Sequence, residues 1–143
     1  MAGDELFEKG LEARKRVLGE KYVEANLAGS DEFMMTFQTA VTKLAWGYAW
    51  SRPGLDQRSR SILTLGILAG LGRFQELGIY TNAALASGIT VEELKEILIH
   101  ITAYCGTPAG SLIHSSGRPV CTHVCCASSS CSRGSLALRR RTP

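Results

Sequence analysis

The chain lacks any run in which β-branched apolar residues alternate with polar ones, so no segment competes for a β-strand. It also lacks a membrane span, because the most apolar stretch, SILTLGILAGLG at 61–72, falls well short of the ~20 residues a membrane helix requires. The opening MAGDEL has neither the basic region nor the apolar region of a secretory leader, and the expected compartment is the cytoplasm. Up to Gly110 there is a single cysteine, Cys105, with no second thiol near it in sequence. Beyond Gly110 there is no acidic residue, only five arginines among eight serines and four cysteines.

That last absence divides the chain. Residues 1–110 hold 11 Lys/Arg against 13 Asp/Glu, a balance of −2, so the overall charge of +3 belongs to the end of the sequence. Residues 1–110 are read as one helical domain and 111–143 as an atypical Ser/Cys/Arg-rich tail, expected to be disordered. Clustered arginine can bind nucleic acid by releasing counterions, but this tail has no aromatic residue for stacking and no periodicity. Neither a nucleic acid nor a membrane is therefore expected as a partner. A length of 143 residues with 45% hydrophobic content suits one core.

What is present reads as helix. Asp4 to Leu18 places apolar side chains among charges, and Gly19 suits a helix C-terminus. Ser30 is the expected N-cap of a second helix, with Phe33, Met34, Phe37, Ala40, Val41 and Leu44 at helical spacing and an end by Arg52, before Pro53. Asp56 caps a third helix to about Leu71, Gly72 interrupts, and a fourth runs from about Arg73 to Ser87. Thr90 and Glu93 form a capping box for a fifth, ending near Tyr104 before Gly106 and Pro108. The class is all-α, a helical bundle with short connections.

Two features point toward a site. WGYAWSRPGLDQRSRS, 46–61, sets two tryptophans and three arginines around a Pro-Gly turn. Trp46 and Trp50 either wall a pocket or pack in the core, as large aromatics commonly do. Arginine forks match carboxylates, which makes Arg52, Arg58 and Arg60 candidates for binding an acid. Arg58 and Arg60 stand two apart on a helix, so at most one of them faces a given pocket. Glu76 and Tyr80 stand four apart and share a helix face, either as an acid and phenol at a site or as a surface charge beside a packing residue. His100, on the fifth helix, is either a third proton-transfer candidate or structural.

Four stretches, RVLGEKYV at 16–23, WGYAWSRPGLDQRSRSILTLGILAGLGR at 46–73, ELGIYTNAALASGITVEELKEIL at 76–98 and AYCGTPAG at 103–110, resemble the carboxymuconolactone decarboxylase family of the alkylhydroperoxidase D-like superfamily. The resemblance implies a homo-oligomer of helical subunits, a hexamer or trimer. It also implies a cofactor-free decarboxylation of a small carboxylated lactone, a step of aromatic catabolism in the β-ketoadipate pathway. Glu76, Tyr80 and His100 are then the catalytic candidates, and Trp46, Trp50, Arg52, Arg58 and Arg60 the substrate-binding ones, with no metal. Loss of CO2 needs an electron sink, which the lactone carbonyl supplies, and a proton donor.

Two departures from the family pattern stand out. Tyr80 occupies the place where the bacterial members carry a histidine, and a phenol of pKa ~10 donates a proton near neutrality but rarely accepts one. Its presence resembles a fungal branch, for which aromatic or polyketide acids are alternative substrates. After AYCGTPAG the family continues into an amphipathic helix, whereas this sequence resembles translated intron or out-of-frame sequence. An inactive oligomerising paralogue is therefore a second reading. Thiol peroxidase is a third, and it is disfavoured because Arg73, Glu76 and Tyr80 stand where the C-x-x-C-x-x-x-H motif would be. A zinc site from Cys121, His123, Cys125, Cys126 and Cys131 is not expected, since the second spaced ligand pair is missing.

Overall fold

The computed structural model describes residues 2–110. The chain folds into helices α1 (Ala2–Leu18), α2 (Glu20–Ala28), α3 (Glu32–Val41), a π-helical segment (Thr42–Trp50), α4 (Gln57–Gly70), α5 (Phe74–Ala86) and α6 (Val91–Cys105). No strand occurs among the described residues, and the class is all-α. The expectations for the tail, including its cysteines, lie outside the described residues.

Capping chemistry sets most of the boundaries. The Asp56 carboxylate accepts from the Ser59 amide at 2.9 Å and starts α4. The Thr90/Glu93 capping box is formed in full at the start of α6. Gly72 (φ 66) takes the left-handed conformation that stops α4 and lets the chain re-enter helix at Phe74.

Three boundaries differ from the sequence reading. The N-cap of α3 is Asp31, whose Oδ1 accepts from the Met34 amide at 2.8 Å, while the Ser30 hydroxyl donates backward to the Asn26 carbonyl at 2.8 Å. The sequence reading placed no element between Gly19 and Ser30, yet α2 fills that interval. Val23 is its buried residue, so α2 presents no apolar stripe for periodicity to detect. Gly19 (φ 90, ψ 138) is a joint between α1 and α2 rather than a left-handed cap. Lastly, the expected second helix does not stay α-helical to its end. It widens at Thr42 into π winding, and the Ser51 amide donates to the Trp46 carbonyl, five residues back, at 3.1 Å.

The π segment lies where α1 presses closest. A methyl group on Gly10 would overlap the Thr42 carbonyl oxygen and stand 2.8 Å from the Gly47 nitrogen, and one on Gly47 would overlap the Leu6 carbonyl oxygen. Two glycines thus let two helical backbones meet without intervening side chains. Buried Ala13, Val17 and Trp46 form the core of this half. The other half joins α4, α5 and α6 around Leu65, Leu77, Ala84, Leu94 and Ile101. Tyr80 packs against both cores. Large apolar side chains nonetheless stay at the surface, with Phe33 82%, Leu71 68% and Tyr104 80% exposed. Among the described residues no helix is long and apolar enough to cross a membrane.

Candidate functional site

Trp46, Trp50 and Tyr80 come together at the junction of the two cores. The π segment carries both tryptophans on adjoining turns, with ring centroids 5.0 Å apart, and α5 brings Tyr80 to 6.2 Å from Trp46 and 6.3 Å from Trp50. The Trp46 and Tyr80 planes are 6° from parallel. Burial pushes the Tyr80 phenol up to about 12, and the nearby Arg14 charge opposes that rise. The phenol therefore stays protonated across the neutral range.

Arg14 is the residue that the sequence reading missed. It lies on the α1 face made by Gly10, Ala13 and Val17, and only 6% of its surface is exposed. Its Nη1 donates to the Thr42 hydroxyl at 3.2 Å and its Nη2 to Asn26 Oδ1 at 3.0 Å, while its buried Nε has no partner. Neither acceptor is charged. Loss of hydration lowers its pKa from the usual arginine value. Within the run Arg14-Lys15-Arg16 the fates diverge. Lys15 pairs outward with Glu24 at 2.9 Å and Glu20 at 3.2 Å, and the exposed Arg16 donates to Gln57 at 3.0 Å. The only sequence signal was register: position 14 falls four residues after Gly10 and three before Val17, on the packed face.

The remaining predicted residues lie outside the aromatic cluster. Glu76 shares the α5 face of Tyr80 but stands exposed in the first turn. His100 is exposed on α6, its ring 4.8 Å from that of Tyr104. Arg52 holds its guanidinium 5.4 Å from the Tyr48 ring centre. Arg58 is ion-paired with Glu93, tying the start of α4 to that of α6. Arg60 donates to the main-chain carbonyls of Leu55 at 3.0 Å and Arg52 at 2.9 Å, which fixes the Pro-Gly turn. Arg58 and Arg60 thus point to different structural partners, in keeping with their spacing.

A groove of about 930 Å³ is lined in part by Val17, Tyr22, Ile79, Asn82, Ala83 and Thr90, and Val17 also belongs to the core that holds Trp46. None of the predicted site residues lines it. Tyr22 connects groove and cluster, since it lines the former and lies within electrostatic reach of both Arg14 and Tyr80. Among the described residues no group of three or more His, Cys, Asp or Glu side chains could hold a metal ion.

Sequence comparison places this architecture among known proteins. Residues 36–111 match the carboxymuconolactone decarboxylase family, and the chain belongs to that family. It is 44% identical over 104 residues to nitrosuccinic acid decarboxylase npaB of Metarhizium robertsii, covering 73% of each chain. To the 4-carboxymuconolactone decarboxylase of Acinetobacter baylyi it is 40% identical over 111 residues, covering 78% of this chain and 83% of the relative. An uncharacterized 15.0 kDa protein of Paracoccus denitrificans is 27% identical over 86 residues, 59% of this chain and 64% of the relative. The two more similar relatives are decarboxylases, that is, carboxy-lyases.

Proposed function

We propose that the chain is a carboxy-lyase that removes CO2 from a small acid in which the carbon losing the carboxylate is placed to pass its electron pair into an electron-accepting group. The observation supporting this is the stacked Trp46, Trp50 and Tyr80 cluster, which places one protonated phenol against an apolar wall. The compounds named for the two relatives share the required chemistry: a lactone carbonyl in one and a nitro group in the other accept electrons, and both carry more than one carboxylate. The carbon–carbon bond to the carboxylate breaks, its electron pair passes into the acceptor, CO2 leaves, and the carbon takes up a proton. Because the acceptor belongs to the substrate, the step is written without a cofactor.

In this reading the Tyr80 O–H donates a hydrogen bond to the acceptor oxygen as charge grows there. A preorganised donor in a site of low dielectric is worth far more than the same bond in water. Trp46 and Trp50 pack on the phenol and keep water from it. Glu76 and His100, both at the surface, serve the return of the proton from water, and Arg52 serves the approach of an anionic substrate. Arg60 holds the turn that follows the tryptophan-bearing segment, and Arg58 ties the start of α4 to that of α6. Assembly into a ring of identical subunits is part of the same proposal, supported by the exposed Phe33, Leu71 and Tyr104. Native mass spectrometry tests it, and a monomer at micromolar concentration would reject assembly.

The test of function is CO2 release from nitrosuccinate and from 4-carboxymuconolactone, each with wild type and Tyr80→Phe. Release from either acid that falls by about 100-fold in the variant is the expected result. No release from either acid overturns the reading.

A further inference from the structure

A buried guanidinium is costly unless something compensates its charge, and proteins normally supply a carboxylate. Arg14 has none. It is 6% exposed, its two bonded partners are the neutral Thr42 hydroxyl and Asn26 amide oxygen, and its buried Nε has no acceptor. Of the acidic residues nearest in sequence, Glu8 is exposed, Glu12 pairs with Arg16 at 3.7 Å and Glu20 with Lys15 at 3.2 Å. The titratable groups within electrostatic reach of Arg14 are Tyr22 and Tyr80, phenols rather than carboxylates. The charge is therefore uncompensated within the described chain.

The surroundings of Arg14 hold it in place. Thr42, fully buried, sits one turn before Trp46 in the π segment and fixes one arm of the fork. Asn26 of α2 fixes the other. Gly10, one turn earlier on α1, brings the two backbones close enough for Arg14 to reach Thr42. Tyr22, within electrostatic reach of Arg14, lines the open groove.

We infer that Arg14 is the carboxylate anchor of the site: its unpartnered Nε–H binds one carboxylate of the substrate beside Tyr80, the anion supplying the charge that the fold leaves out. This deepens the decarboxylase reading by assigning the recognition of a dicarboxylic acid to α1, a helix wholly outside the matched family segment of residues 36–111. It also gives the missed α2 a purpose, since Asn26 orients the guanidinium and Tyr22 faces the groove through which the acid enters. The retained carboxylate is held while the other is lost, and binding at Arg14 itself makes or breaks no covalent bond.

Succinate, a dicarboxylate with no electron acceptor, is the probe, because it can bind but cannot react. Calorimetric titration of the full chain should show binding that weakens by about 10- to 100-fold in Arg14→Met, the loss expected for one hydrogen bond to a charged group. Arg14→Lys keeps a charge without the fork and should fall between the two. In wild type, the Arg14 Nε–H resonance should shift on adding succinate, a readout that needs no variant to fold. Absence of succinate binding by wild type, equal binding by a folded Arg14→Met, or an unmoved Nε–H resonance would each overturn the assignment. Arg14-dependent succinate binding without CO2 release from either acid would sustain the anchor and sink the decarboxylase reading. CO2 release with unchanged KM in Arg14→Met would do the reverse.

Discussion

The two halves of this chain are built on different terms. The α4–α6 half follows the ordinary rules, with capped helices, spaced leucines and a core of Leu65, Leu77 and Leu94. In the α1–π half, glycines replace packing side chains, the winding leaves the α-helix, a cation is buried without an anion, and three aromatic rings stack. The stacked rings stabilise the fold, but the close glycine contact, the π winding and the unpaired cation do not lower the free energy of folding by themselves. Local departures from the cheapest packing concentrate where a protein works, and here they share one seam. Tyr80 is the hinge of the comparison, because it packs against both cores and carries a hydroxyl.

Tyr80→Phe separates the two roles most sharply. The ring remains to pack in both cores while the donor is lost, so kcat should fall by about 100- to 1,000-fold with little change in melting temperature. The same variant should flatten the alkaline limb of stability. A phenol raised to about 12 in the folded state and ~10 when unfolded contributes stability that is present below pH ~10 and lost as pH climbs toward 12. Urea midpoints between pH 9 and 12, measured for both proteins, check this. An equal collapse of stability in the variant near neutrality would mean that the hydroxyl is structural.

Gly10→Ala attacks the seam itself. Its methyl meets main-chain atoms of Thr42 and Gly47, which cannot turn aside as a flexible side chain would, so the two helices must part. A loss of about 3 kcal/mol is expected, with the Trp46 fluorescence shifted by altered stacking. The equivalent change at Gly66 in α4, where a methyl meets nothing within 4 Å, should be neutral or slightly stabilising. Similar effects at the two positions would erase the distinction between the halves.

The ordinary half was largely legible in the sequence, because caps and glycine breaks are local devices. Asp56, Thr90 and Glu93 act within a few residues of where they stand, and each cap forms as read. Periodicity failed where burial does not follow apolarity. α2 buries Val23 and little else, and α1 turns Arg14 inward beside outward Lys15 and Arg16. A basic triplet looks like a solvated face when only charge is counted. Of the site, the two tryptophans and Tyr80 could be named from motif and resemblance, but their stacking across the π segment and α5 is tertiary. So is the diversion of Arg58 to Glu93 and of Arg60 to backbone carbonyls.

Thr42→Val is a smaller and more selective cut. Valine fills the same volume but accepts nothing, so the Arg14 Nη1 donor loses its partner inside the fold. About 2 kcal/mol of stability should be lost, as expected for a buried bond to a charged group. If the guanidinium is fixed by Thr42 for binding, succinate affinity should fall as well. A stability loss with unchanged affinity would confine Thr42 to a packing role.

The smallest effect tests the ordinary half by acid. Hydrogen bonds from the Ser59 amide and hydroxyl hold the Asp56 carboxyl below its usual range, and those from Thr90 do the same for Glu93. A depressed folded value gives stability that is present above the unfolded pKa of ~4 and lost as pH falls through the folded value. Asp56→Asn keeps a good capping residue but removes the titration. Its stability should therefore decline less steeply than that of wild type below pH ~4, while the two proteins respond alike above pH 9, where Tyr80 governs. Urea midpoints across both limits test the division directly: if Asp56→Asn changed the alkaline limb, the two halves would be energetically one unit, and Tyr80 could not be treated as a boundary between a scaffold and a site.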